Sequence, residues 1–368
     1  MSQEKQKNLR IFGLDVMRAT AILLVVFSHL YYLVDSYNPL LISLSGIAGY
    51  AGVELFFLLS GFLIGSILLK SFIANDFTLS SIFIFLKRRW MRTLPNYYFI
   101  LLINIAIGIV LDYEMKEVWR YFLFIQNFSS YSITFFVESW SLSVEEWTYL
   151  LIPFLLFVLG MKSRNSKWSF LVIVSGLILF FHFLRYLFFL SNPIADLNIW
   201  NNEVKSVVIY RIDTILFGFL VAWIHYYYND WLKKSRFYLL ILAAHLFFFQ
   251  FIAMNVMGFE ITRTPFYFMV FYFTLSTITF ALFLPAFIYW KSAKGVLPQI
   301  IIYISKWSYS MYLIHYSILT VFYKYLRDNY FSNFSIYFSI FIYSALLFFG
   351  SCFLYRFFEK PIMDLRDR

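Results

Sequence analysis

Residues 14–33 read LDVMRATAILLVVFSHLYYL. A bilayer crossing needs about 20 apolar residues, and this stretch is long enough, yet it carries Asp15, Arg18 and His29. An ionised side chain at mid-span costs roughly 2.5–3.5 kcal/mol on insertion scales, so such groups are usually retained for a reason. Arg18 and His29 are eleven residues apart. At about 100° and 1.5 Å per residue, that is almost three whole turns and about 16 Å of rise. The two therefore share one stripe of a helix, one near each end, and Asp15 shares it one turn before Arg18. A polar stripe in lipid must face other helices or a water-filled cavity.

The rest of the chain has the same character. Its 368 residues are 61% hydrophobic with a mean hydropathy of +0.72, against about 45–50% apolar for a soluble domain. The fold class expected is an all-α polytopic membrane protein. Apolar runs near 14–33, 46–69, 94–111, 147–161, 168–190, 206–227, 237–254, 266–289, 300–323 and 335–355 give about ten transmembrane helices. No tandem repeat or low-complexity linker divides them, so residues 1–368 read as a single transmembrane domain. The formal net charge of +10 does not point to nucleic acid, because the basic residues sit in short clusters between apolar runs, as in cytoplasmic loops. One cysteine, Cys352, excludes an intramolecular disulfide and a cysteine-based metal site. No small-residue cleavage site follows the first apolar run, which is therefore expected to be a retained span.

With the N-terminus in the cytoplasm, the inside segments hold twenty Lys and Arg, among them Lys5, Lys7, Lys162, Arg164 and Arg368, and the outside segments hold six. The positive-inside rule therefore places both termini in the cytoplasm. His29, Glu54, Glu145, Glu146, His182, Arg185, Arg211, Asp213 and His315 then fall toward the outside. The run KRRWMR, 87–92, falls at the inner mouth of the third span.

Each unusual residue carries two readings. His29 is either a satisfied packing residue or a general base, since neutral imidazole near pH 7 can deprotonate a hydroxyl; sharing a stripe with Arg18 and Asp15 favours the base. KRRWMR is either a topology anchor or an anion site, because Arg89 and Arg92, three residues apart, face one way and paired guanidiniums grip phosphate. Trp90 stacks on a ring or sits in the interface belt. In WSLSVEEWTYLLIP, 140–153, Ser143 and Glu146 form a capping box, which leaves Glu145 to orient or charge a histidine. Arg211 and Asp213 in YRIDTILFG neutralise each other or bind substrate. Gly61 and Gly65 read as a helix-packing pair. Asn127 and Asn333 match the glycosylation sequon. HExxH, Walker and Gly-x-Ser-x-Gly motifs are absent from the sequence.

These motifs together resemble the integral-membrane acyltransferase-3 family. GLDVMRATAILLVVFSH carries the Arg-ten-residues-His spacing as Arg18 and His29. GVELFFLLSGFLIG, 52–65, is similar to the second-span signature, with Glu54 where aspartate is common. Arg89 and Arg92 supply Arg-x-x-Arg. The outer-loop signature puts its glutamate on Glu145, although Trp147 and Thr148 depart from the usual Gln-Phe. SKWSYSMYLIH, 305–315, ends in His315, and FEKPI, 358–362, matches the closing Glu-x-Pro. The resemblance implies O-acyl transfer, commonly of acetyl from acetyl-CoA as co-substrate, to a hydroxyl of a carbohydrate or glycolipid in the cell envelope, such as lipopolysaccharide O-antigen or exopolysaccharide, at the bacterial inner membrane. His29, Glu145 and Arg18 are then the catalytic candidates, and Arg89, Arg92 and Arg18 hold the donor. Asp15, Glu54, Arg211, Asp213 and His315 are the acceptor-side candidates. No metal and no nucleic acid is implied. Since thirteen residues follow Tyr355, no extracytoplasmic hydrolase-like domain is expected in this sequence. The rival reading is a proton-coupled transporter of a carbohydrate or organic anion, which would use the same intramembrane histidine, carboxylates and arginines.

Overall fold

The computed structural model describes residues 10–33, 38–74, 76–161, 167–193, 196–330 and 335–366. Lys5, Lys7, Lys162, Arg164, Arg368 and Asn333 lie outside the described residues. Among those described, the chain is helical with no strand. Ten helices form its frame: α1 (Phe12–Leu30), α2 (Pro39–Ile73), α3 (Leu79–Val110), α4 (Ser139–Gly160), α5 (Lys167–Ser191), α6 (Ile212–Tyr227), α7 (Asn229–Phe248), α8 (Tyr272–Ile288), α9 (Val296–Ile314) and α10 (Ile336–Leu354). Eight of these segments are long and apolar enough to cross a membrane. The other two are α6, with 16 residues, and α9, whose apolar run is diluted by Gln299, Lys306 and three buried serines. Large apolar side chains stay exposed on the outer helix faces, such as Ile241, Phe349 and Phe353, which suits lipid rather than water. The protein is a multi-pass membrane protein.

Several helices begin earlier than their apolar runs, and three of these extensions shape the site. α2 starts at Pro39 rather than 46, because Asn38 caps it by accepting from the Leu40 and Leu41 amides at 3.0 and 3.2 Å and proline at the first turn lacks only an unneeded donor. α3 starts at Leu79 rather than 94, behind a reciprocal Thr78–Ser81 cap. KRRWMR thus lies inside this helix, not at its mouth. α4 starts at Ser139 rather than 147, and its polar first turns are buried against neighbouring segments, with Ser139, Ser141 and Ser143 all inside. A hydropathy count discards such polar turns. The capping box at Ser143 and Glu146 does not form: Ser143 is a helix-interior residue whose hydroxyl donates to the Ser139 carbonyl at 3.2 Å and accepts from Gln126 at 2.7 Å.

Glycines set the closest approaches. A Cβ on Gly61 would stand 1.9 Å from the Ile215 carbonyl oxygen, and one on Gly65 would stand 2.7 Å from Phe219 Cα. Gly61 and Gly65 are therefore the packing pair the sequence suggests, letting α2 lie backbone-to-backbone on α6. Asn127, by contrast, is buried with its amide donating to the Trp140 and Ser206 carbonyls at 3.0 and 2.6 Å, so its sequon carries no free side chain. Among the described residues, five π-helical turns interrupt the helical segments. Two of them, Trp200–Lys205 and His315–Thr320, border the cavity described below; π-turns recur at functional sites.

Candidate active site

Two cavities lie along α1, one near each end of the Arg18–His29 stripe. The first, about 110 Å³, is lined by Arg18 of α1, Ser60 of α2, Arg89 and Arg92 of α3, and Glu145 of α4. Arg89 and Arg92 stand roughly three turns inside α3 and both reach it, as their spacing requires. Three guanidiniums thus surround one carboxylate. Arg89 donates to the Tyr149 hydroxyl at 3.0 Å and lies 4.6 Å over that ring. The Tyr149 hydroxyl donates to Glu145 at 2.5 Å. Arg92 has no hydrogen bond or ion pair among the described residues, and Arg18 has only Ser305 at 3.3 Å and Asp15 at 3.7 Å. A site with this charge excess binds anions, and guanidiniums match phosphate.

The second cavity, about 470 Å³, is lined by His29, Glu54, Glu138, Lys205, His315 and several aromatic and amide side chains. Val53 and Tyr312 line both cavities, so the two meet at a thin wall. There the Tyr312 hydroxyl shares a 2.5 Å hydrogen bond with Ser141. His29 is the penultimate residue of α1 and stands against His315 with ring centroids 4.8 Å apart. His315 Nδ1 is 2.6 Å from the Tyr312 carbonyl, which can only accept, so Nδ1 carries the proton and Nε2 accepts. That Nε2 lies 3.2 Å from His29 Nδ1, which is also 2.9 Å from the Val25 carbonyl. His29 Nδ1 is therefore the protonated nitrogen, and Nε2 is left with its lone pair and no bonding partner among the described residues. An imidazole held this way can take a proton from a hydroxyl in the cavity.

Several sequence expectations change. Glu145 does not meet His29; it lies in the other cavity, because starting α4 at Ser139 sinks it about 9 Å along the helix. Glu146 accepts from Thr93 at 2.8 Å and also sits with the arginine helix. The carboxylate facing the histidine cavity is instead Glu138, just before α4, whose Oε1 accepts from the Ser317 amide and hydroxyl at 3.1 and 2.6 Å. Burial pushes the Glu138 carboxyl up to about 7, against the lowering effect of these hydrogen bonds. Asp15 is consumed by Arg10 at 2.5 Å and by Ser305 at 2.7 Å and lines neither cavity. Arg211 and Asp213 do not neutralise each other. Arg211 pairs with Glu54, and Asp213 with Arg185 at 2.7 Å, all four buried. Of these only Glu54 borders either of the two cavities. Trp90 and Trp147 face a separate lateral recess. Sequence reasoning missed Tyr149, Tyr312, Glu138 and Lys205. Glu138 adjoins the WSLSVEE stretch, and in the sequence Lys205 is no more than one of the six outside charges.

The chain matches the family model described as "Acyltransferase domain", Acyl_transf_3, over residues 11–356. It belongs to the acyltransferase-3 family. Among its relatives, "O-acetyltransferase OatA" of Staphylococcus aureus (strain NCTC 8325 / PS 47) is 27% identical over 83% of this chain and 50% of its own length. "Putative O-acetyltransferase SACOL0978" of Staphylococcus aureus (strain COL) is 25% identical over 88% of this chain and 53% of its own. "Putative peptidoglycan O-acetyltransferase YrhL" of Bacillus subtilis (strain 168) is 31% identical over 49% of this chain and 28% of its own. The chain thus spans about half the length, or less, of these acyltransferase-3 relatives. No solved structure matches it significantly.

Proposed function

We propose that this chain is the membrane unit of an O-acetyltransferase that moves acetyl from acetyl-CoA to a hydroxyl of a cell-envelope carbohydrate, in the bacterial inner membrane. The observation that carries this reading is the pairing of cavities: a three-arginine anion site meets, across Val53 and Tyr312, a larger chamber holding a histidine with a free Nε2. The names of the relatives support acetyl as the group and a glycan as the acceptor. Basic residues at the ends of the spans support a cytoplasmic arginine cavity and an outward histidine cavity.

The donor's phosphates lie on Arg92, Arg89 and Arg18. Glu145 and Tyr149 hold Arg89 in place. The thioester reaches past Tyr312 toward His29. There the acceptor hydroxyl gives its proton to His29 Nε2 and its oxygen attacks the thioester carbonyl. The C–S bond breaks, the thiolate leaves, and the imidazolium proton neutralises it.

Gly46 gives a direct test of the acceptor chamber. It lines that chamber, and a Cβ there meets nothing within 4 Å, so a side chain can start there and Gly46→Phe narrows the chamber. The variant should raise the apparent KM for acceptor and leave that for acetyl-CoA unchanged. Wild-type kinetics for both substrates would count against the chamber as the acceptor site.

A further inference from the structure

Lys205 closes the π-helical turn Trp200–Lys205 and lines the histidine cavity. It lies 5.8 Å from the rings of both Trp140 and Trp200. Among the described residues it has no hydrogen bond and no carboxylate within ion-pair distance. The two carboxylates bordering this cavity are already engaged: Glu54 with Arg211, and Glu138 with Ser317. The other cations buried in this half of the bundle, Arg185, Arg211 and Arg327, each have an acidic partner. An unpaired charge held among apolar rings is costly, and the natural relief is an anion from the ligand. The same turn carries Asn201 and Asn202, and Asn198 precedes it, all three lining the chamber. Tyr32, Tyr131, Trp140 and Tyr316 supply apolar faces beside them. Amides beside aromatic rings suit a hydroxyl-rich, ring-shaped ligand.

We infer that Lys205 is an anion subsite, so the acceptor is an acidic carbohydrate bearing a carboxylate or phosphate close to the hydroxyl that His29 deprotonates. This rests on the chamber being the acceptor site. It assigns Lys205 a binding role, distinct from the base and from the donor arginines.

The test uses two probe pairs matched in shape and different in charge: N-acetylmuramic acid against its methyl ester, and N-acetylglucosamine 1-phosphate against N-acetylglucosamine. Binding is read as ligand-dependent thermal stabilisation of the detergent-purified full chain, without donor, so chemistry does not intervene. The acidic member of at least one pair should bind about tenfold or more tightly than the neutral one, the scale of a charge-assisted hydrogen bond. Which pair shows the preference separates carboxylate from phosphate. In Lys205→Gln that ratio should fall to about one, and in Lys205→Arg it should persist. Equal binding of acid and neutral partner in the wild type, or a preference that survives Lys205→Gln, overturns the subsite while leaving the acceptor chamber intact. Failure of all four probes to bind counts against the chamber itself and removes the subsite with it. If Lys205→Gln does not purify as a folded protein, Lys205→Met and the wild-type ratio above and below pH 8 decide the same question.

Discussion

His315 Nε2 lies 3.2 Å from His29 Nδ1, and together with the Val25 carbonyl at 2.9 Å this contact leaves Nε2 as the basic nitrogen of His29. His315 is locked as an acceptor because its own Nδ1 bonds the Tyr312 carbonyl. The π-helical turn at His315–Thr320 presents the ring to α1. In this account His315 positions the base rather than acting on substrate.

His315→Leu should therefore lower kcat about tenfold to a hundredfold, a part of the 10²–10⁴ that a positioned base contributes, with the KM for acetyl-CoA unchanged. His315→Gln, whose amide oxygen can still accept from Nδ1, should recover part of the loss. A purely structural role for His315 would instead make the Leu and Gln variants equally poor and equally unstable.

The arginine cavity makes a separable prediction. Arg92→Ala should raise the KM for acetyl-CoA with little change in kcat, because Arg92 has no hydrogen bond or ion pair among the described residues to lose. Arg89→Ala should add instability, since it removes the donor to the Tyr149 hydroxyl, which itself holds the Glu145 carboxylate. Lysine at either position should rescue only partly, because the bidentate geometry is lost. Steady-state kinetics at varied donor concentration check this, and unchanged donor KM in both alanine variants would reduce the cluster to a topology anchor.

The buried pair Arg211–Glu54 should behave as structure. Arg211→Met leaves Glu54 as an uncompensated buried charge, a change that costs about 3–5 kcal/mol in comparable sites. Adding Glu54→Gln to Arg211→Met should restore a large part of the stability. Thermal unfolding in detergent reads both, and a double variant no better than the single one would contradict the pairing.

Preference for acidic acceptors should depend on pH. Burial lowers the Lys205 ammonium to about 8, with Arg211 lowering it further and Glu54 opposing. The charge is present below that pH and is lost above it, so the acid-to-neutral binding ratio should fall as pH rises through about 8. Glu54, Glu138, His29 and His315 line the same chamber, with Arg211 behind Glu54, and only a loss that disappears in Lys205→Arg belongs to Lys205. Binding titrations from pH 6.5 to about 9 make the comparison.

Much of the fold was legible because apolar runs of bilayer length and basic clusters between them have few physical alternatives. The ten expected runs all correspond to helical segments. What hydropathy could not show was where polar turns continue a helix inside protein, as Ser139 to Glu146 do, and that error moved Glu145 into the wrong chamber. The stripe through Arg18 and His29 was readable from helical periodicity alone. The partner of His29 was not, because it comes from a π-turn 286 residues away in sequence, and no local pattern announces that register shift. Lys205 was invisible as a site for the same reason: an unpaired charge is a property of the packed structure, not of a segment.

The most direct test of the account follows labelled acetyl in a single turnover. Purified protein in proteoliposomes is mixed with [acetyl-¹⁴C]acetyl-CoA and a cell-envelope glycan fraction, for the wild type and His29→Ala. The wild type should yield labelled glycan and stoichiometric free CoA, and His29→Ala neither, even though that variant still binds donor. Acetylation of the glycan by well-folded His29→Ala at the wild-type rate would contradict the base assignment. Glycan movement across the bilayer by the wild type with no thioester consumed would contradict acyl transfer itself and favour the transporter.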